Sequence, residues 1–383
     1  MFAPIVLTML SLAAKPAALP GNVDASGVWE LAAQGEVVLL PRHQASPFSA
    51  WVFSRTKHRC DAVEQAILEV ENYPKRWPNI REVRLLSRDE RFVHYEFDID
   101  LVFSPTLTGK IEKIRPGTVA FHDLETGGLF QWHLLQTSKG CLAAYQLSQP
   151  VGQQSGFVSL ITAVESGAAD SGEIAGAIAS ARGYMKPELE GLPETMGSER
   201  AQKSWNQLSS QGTVLRLTRN AGHPTVYTAK RRSDRSPREV LSTIRNRSAY
   251  VHQLDMVKSV RTRDADTHWE FGYFGGSVQL KTRMSESGSV DSPDGIILRE
   301  EVVGGDLTSG VWQWHIRPVD GGTEVELTMD MDITSGSFVM RNLVEQHTLI
   351  RDASSLQLGL SMMGALVGGN QIPYREGAPV AVK

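Results

Sequence analysis

Two stretches, FQWHLLQTSKG (Phe130 to Gly140) and WQWHIRPVDGG (Trp312 to Gly322), carry one pattern: an aromatic residue, Gln, Trp, His, and a turn that closes on Gly. His133 and His315 stand 182 residues apart, as do Gly140 and Gly322, so the copy stays in register throughout. Upstream, GEVVLLPR from Gly35 matches GTVLRLTR from Gly212 at a spacing of 177, which Val63/Val240, Ile67/Ile244, Tyr73/Tyr250 and Val83/Val260 keep. So long a period excludes a solenoid and indicates two similar domains of ordinary size. A chain of 383 residues accommodates them.

Composition excludes several classes. The chain is 41% hydrophobic and 21% charged with a net charge of −4, and no basic stripe with interleaved aromatics suggests nucleic acid. The densest basic cluster, Lys230-Arg231-Arg232, is followed by Asp234 and is expected to be a solvated strand end. PIVLTMLSLAA, from Pro4 to Ala14, is too short to span a bilayer. It looks like the apolar region of a secretory signal but lacks a preceding Lys or Arg, so residues 1–27 are expected to be a signal peptide or a disordered arm. The first reading puts the protein in the periplasm or outside the cell, the second in the cytoplasm. Cys60 and Cys141 have no metal-ligand spacing and no Cys counterpart in the second copy, where Pro237 and Thr323 stand; free thiols are expected, with a single disulfide as the alternative, and neither a metal nor a cofactor is implied.

In VHYEFDIDLVF, Val93, Tyr95, Phe97, Ile99 and Leu101 alternate with His94, Glu96, Asp98 and Asp100, the period of a strand with one buried face. HWEFGYF repeats the parity with Trp269, Phe271 and Tyr273. Turn signals such as Arg115-Pro116-Gly117 and Asp320-Gly321-Gly322 separate further short strands into an antiparallel meander. Ser236-Pro237-Arg238-Glu239 is a capping box opening a helix that carries Val240, Leu241 and Ile244, and a counterpart begins at Asp61. After the last strand of the second copy, Phe338, Leu343, Val344, His347, Ile350, Leu358, Met362 and Leu366 predict a long amphipathic helix. The matching first-copy region, from Phe157 to about Tyr184, is interrupted by Gly167, Gly172 and Gly176, each costing about 1 kcal/mol relative to Ala.

The order predicts an α+β fold: two domains, over 35–190 and 210–368, each a curved antiparallel sheet wrapped around its long C-terminal helix. Residues 191–209 read as a linker and 369–383 as a mobile tail. AVEQAILEVENYPKRWPNIREVRLLSR, from Ala62 to Arg88, resembles the helix, Tyr-Pro loop and strand of the START-like (SRPBCC) superfamily, in particular its polyketide cyclase and coenzyme Q-binding branch. WQWHIRPVDGGTEVELTMDMD, from Trp312 to Asp332, is similar to that family's late strand pair. The resemblance implies the helix-grip fold and a hydrophobic small-molecule partner of the lipid, sterol, quinone or polyketide type. A transient membrane contact is compatible with it. Copy two departs from the pattern: Tyr250-Val251-His252-Gln253-Leu254 has no proline where copy one has Tyr73-Pro74 and Trp77-Pro78.

Parity decides the role of the two histidines. Phe130, Trp132 and Leu134 share one face, as do Trp312, Trp314 and Ile316; His133 and His315 lie on the other with Gln131 and Gln313. With the aromatic face turned to the cavity, neither histidine reaches a substrate, so both are expected to be structural, with a polar contact between the domains as the best functional use of that face. Asp98 and Asp100 fall on a solvated face by the same argument. The expected ligand-binding residues are Tyr73, Trp77, Tyr95, Phe97, Phe130 and Trp132 in copy one, with Trp269, Phe271, Trp312, Trp314 and His347 in copy two. No catalytic residue is assigned. Three functions fit: noncatalytic binding or transport of a hydrophobic molecule, an aromatic polyketide-type cyclase or isomerase using Tyr73 and His347, or a protein-contact module with filled cavities.

Overall fold

A computed structural model describes residues 19–33, 35–41, 48–77, 80–99, 106–124, 128–149, 178, 198–220, 223–254, 256–273, 276–331, 356 and 358–367. The strands of the first copy are β1 (Val37–Pro41), β2 (Phe48–Thr56), β3 (Ile80–Arg88), β4 (Phe92–Ile99), β5 (Thr106–Arg115), β6 (Thr118–Asp123), β7 (Leu129–Thr137) and β8 (Gly140–Gln149). Those of the second are β9 (Gly212–Asn220), β10 (His223–Ser233), β11 (Val257–Arg263), β12 (Asp266–Tyr273), β13 (Gly276–Gly288), β14 (Ile296–Gly305), β15 (Gly310–Val319) and β16 (Gly322–Met331). Both copies use one order, β1-β2-β8-β7-β6-β5-β4-β3 and β9-β10-β16-β15-β14-β13-β12-β11, and β1 pairs antiparallel with β9. Two separate sheets were expected; the copies are instead halves of a single sheet of 16 strands.

The seam explains the composition of its strands. Val37, Val38, Leu39 and Leu40 are consecutive and all buried, because both faces of β1 are covered. Val38 and Leu40 join the large core on the inner face, and Val37 and Leu39 a second core on the outer face. The outer core lies under α1 (Ala25–Leu31) and α4 (Glu199–Gln211), which bring Val28, Trp29 and Leu31 against Trp205 and Leu208. Asp24 caps α1 by accepting from the Ser26 amide at 3.1 Å, and Ser198 caps α4 by accepting from the Ala201 amide at 3.0 Å. The linker expected over 191–209 therefore holds most of a helix, and the arm expected over 1–27 ends in placed residues, with Leu19 and Val23 buried in the outer core. Lys230 corrects another expectation: it is 1% exposed, bonded to Glu324 at 2.7 Å and to the Asn206 side chain at 2.8 Å.

On the inner face, α2 (Cys60–Leu68) and α3 (Tyr73–Arg76) of half one correspond to α5 (Pro237–Arg245) and α6 (Arg247–Gln253) of half two. The capping box of α5 forms as the spacing predicts. Of the segments expected to form long C-terminal helices, only Ile178, Leu356 and residues 358–367 lie among the described residues; these are helical, and most are buried in the inner core. The second segment rests on β10, where a Cβ on Gly359 would stand 2.2 Å from the Tyr227 ring, and Arg235 ties it to α5 by donating to the carbonyls of Leu366 and Glu239.

The glycines that close the two quoted stretches are required by close approach. A Cβ on Gly140 would stand 2.1 Å from the Thr56 carbonyl, and one on Gly322 2.1 Å from that of Ser233. Next to each glycine the halves use different chemistry. Cys141 forms a disulfide with Cys60 at the start of α2, which corrects the expectation of free thiols, whereas Thr323 donates its hydroxyl to the Arg235 carbonyl at 2.6 Å. The disulfide closes a sequence separation of 81, so replacing both cysteines by serine should cost about 4 kcal/mol. Urea unfolding of wild type and double variant checks this; an unchanged midpoint would contradict it.

Candidate functional site

The inner face of half one is a continuous run of rings. Trp77 meets Tyr73 with centroids 4.3 Å apart, Tyr73 meets Tyr95 edge-on at 5.8 Å, and Tyr95 stacks on Phe97 at 5.6 Å. Phe121 links Tyr95 to Phe130 at 6.1 and 5.4 Å, and Tyr145 links Phe130 to Trp132 at 6.1 and 4.4 Å. All six ring residues expected from this copy lie on that face, joined by Phe121 and Tyr145, which sequence reasoning missed. Tyr145 was findable, because β8 places it opposite Trp132 in the ladder. The Tyr73 hydroxyl donates to the Ile67 carbonyl at 2.5 Å. Burial, with Tyr73 and Tyr145 alongside, holds the Tyr95 phenol well above its ordinary pKa, so it stays a neutral donor.

Half two repeats the plan with a polar centre. Trp269 meets Tyr250 at 5.4 Å, Phe271 at 5.7 Å and Trp312 at 5.9 Å, and Trp314, 1% exposed, lies in the same core. Tyr250 donates to the Ile244 carbonyl at 2.8 Å, as Tyr73 does to Ile67. Among these rings lies Glu300, 2% exposed, paired with Arg247 at 2.5 Å. Its signal was in the sequence: in GIILREEVV the parity sets Glu300 on one face with Ile296 and Leu298. His347 lies outside the described residues.

His133 and His315 sit on the outer face. His133 stacks on Trp51 at 5.6 Å and pairs with Gln146 of its own half; His315 bonds to the Asp294 carbonyl at 2.7 Å. Neither contact reaches the other half, so they fit the expected structural role rather than a contact between the domains. Among the described residues, no group of three or more His, Cys, Asp or Glu could hold a metal ion, and no helix is long and apolar enough to cross a membrane.

With this geometry in view, residues 233–347 match the family model described as polyketide cyclase / dehydrase and lipid transport. No curated protein matches the chain. Among solved structures, it is similar to TTHA0849 from Thermus thermophilus, at 18% identity and a TM-score of 0.30 over 36% of this chain and 92% of that one. It is also similar to the di-domain ARO/CYC BexL from the BE-7585A biosynthetic pathway, at 16% identity and 0.28 over 83% and 99% of the two chains. A STAR-related lipid transfer protein fragment from Xanthomonas axonopodis is similar at 14% identity and 0.32 over 42% and 94%. At these identities and scores the likenesses say nothing of what the chain binds. Residues 233–347 of half two match that family, and half one repeats the strand order of half two.

Burial holds the His133 pKa below its ordinary 6.5, outweighing its hydrogen bond with Gln146. The folded state therefore binds fewer protons than the unfolded chain between that lowered pKa and 6.5. Stability should fall as pH drops through this window, and His133→Gln should flatten the slope; denaturant midpoints from pH 7.5 to 5 measure it, and parallel profiles would contradict it.

Proposed function

We propose that the chain binds or transports a hydrophobic small molecule of the lipid, sterol or quinone class on the inner faces of its sheet, without catalysis. One observation carries the reading: each half turns a cluster of large aromatic rings inward, and in half one Tyr73, Tyr95, Phe97, Phe121, Phe130 and Trp132 belong to a single connected set. Apolar ligand surface buried there is worth about 25 cal/mol per Å² and needs no charged group to hold it. The family matched by residues 233–347, whose description includes lipid transport, supports the same class. The cyclase reading named Tyr73, but its hydroxyl is committed to the Ile67 carbonyl.

Native mass spectrometry of the purified protein, followed by organic extraction, tests the proposal. A lipid, sterol or quinone released in a fixed ratio is expected. An empty protein that also fails to take up a neutral apolar probe would contradict it and favour halves filled by their own side chains.

Export is part of the proposal. The Cys60–Cys141 disulfide suits an oxidising compartment, and the apolar stretch from Pro4 to Ala14 suits a secretory signal. Leu19 and Val23 are buried, and Asp24 caps α1, so processing is expected at or before Leu19, next to Ala17 and Ala18. N-terminal sequencing of the mature protein checks this; a start beyond Asp24 or an unprocessed Met1 would contradict it.

A further inference from the structure

The repeat makes the two ends of the sheet comparable. β3 and β11 are its outermost strands, and the spacing of 177 matches Arg81, Val83 and Arg84 to Lys258, Val260 and Arg261. Three positions break the likeness: Ser259 stands for Glu82, and Thr262-Arg263 for Leu85-Leu86. β11 thus carries Lys258, Arg261 and Arg263 with no acidic residue, a composition by which one edge strand repels another. β3 lacks that protection. It places an acid between its arginines and exposes Leu85 at 42% and Leu86 at 53%. An edge strand forms in half two without these residues, so the fold alone does not account for them.

Glu82 is poorly placed within its own chain. The ladder sets it across from Asp98 of β4, and like charges directly opposite each other are destabilising. Arg84, on the same face, stands across from Glu96 and bonds to it at 2.9 Å. The register of β3 shifts at Arg81 and again at Leu86, which leaves Glu82-Val83-Arg84-Leu85 as its regular stretch. On the side away from β4 that stretch is the open edge of the sheet.

We propose that β3 is a self-association edge, at which two copies of the chain pair antiparallel about Val83. A ladder between identical antiparallel strands has its two-fold axis normal to the sheet, so opposed residues share a face and the axis passes between two identical residues. Centring on Glu82 or Arg84 opposes like charges, and centring on Leu85 brings the bulge at Leu86 next to the axis. Centring on Val83 sets Glu82 opposite Arg84 of the second copy, twice by symmetry, and brings Leu85 against the aliphatic stem of that copy's Arg81. The regular stretch is short, so the dimer is weak and reversible. The cations of β11 keep the other edge apart, so association closes at two copies. The faces of the sheet stay distinct across such an axis, and both copies therefore turn their aromatic interiors to the same side.

Sedimentation velocity from micromolar to millimolar protein tests this. The wild type is expected to pass reversibly from monomer to dimer as concentration rises. Glu82→Arg opposes two pairs of like charges and should weaken the dimer about ten-fold or more, while Glu82→Arg/Arg84→Glu exchanges the charges and should recover it. Leu85→Thr/Leu86→Arg takes the residues that β11 uses, so it is expected to fold and to remain monomeric. A wild type that stays monomeric throughout, a dimer indifferent to Glu82→Arg, or an exchange variant that does not recover would overturn the inference. Binding of a monomeric wild type to phosphatidylcholine/phosphatidylglycerol vesicles, abolished by Leu85→Thr/Leu86→Arg, would also overturn it and assign the edge to a membrane.

Discussion

The structure depends on the pairing of β1 with β9. Val38 is hydrogen-bonded in register with Leu215, and Leu215 is also its counterpart in the repeat, 177 residues on. An antiparallel ladder that pairs a residue with its own counterpart has a local two-fold axis through that pair, normal to the sheet. Such an axis keeps the faces of the sheet distinct, so both aromatic interiors lie on one side and α1 and α4 lie together on the other. The arrangement is that of a two-fold dimer written into one chain. It also gives each half a neighbour for the strand that would otherwise be an exposed edge, leaving β3 and β11 as the ends of the sheet.

Within that symmetry the halves diverge where local chemistry can be exchanged without moving the backbone. A disulfide in half one and the Thr323 hydroxyl in half two pin the same junction between helix and strand. Val70 and Phe121 in one interior become Arg247 and Glu300 in the other. Tyr73 and Tyr250 remain alike, each closing onto the carbonyl of an isoleucine six residues earlier. One scaffold thus presents two interiors of different polarity from a single face.

Much of this was legible in the sequence. The QWH strands alternate with period two, so the inward turn of Trp132 and Trp314 and the outward turn of His133 and His315 follow from parity. The capping box at Ser236 is a local signal and forms as written. The seam was harder, because VVLL shows no alternation: both of its faces are covered, and only the fold reveals by what. The cysteines were misjudged because neither has a Cys counterpart, an argument that assumes both halves solve a junction in the same way. Arg247 carried a weak signal, an arginine where its counterpart is valine. Glu300 carried a stronger one, a carboxylate at an apolar parity, with a meaning that appears only when the helix brings Arg247 to it.

The continuity of the sheet is the central claim, and native-state hydrogen exchange at the seam tests it most directly. The amides that β1 and β9 share, around Val38 and Leu215, are covered on both faces by buried side chains, so they should exchange as slowly as those of β7 and β15, through global unfolding. Rapid exchange at β1 and β9 with protection retained at β7 and β15 would mean two independently folded halves and would contradict the single sheet.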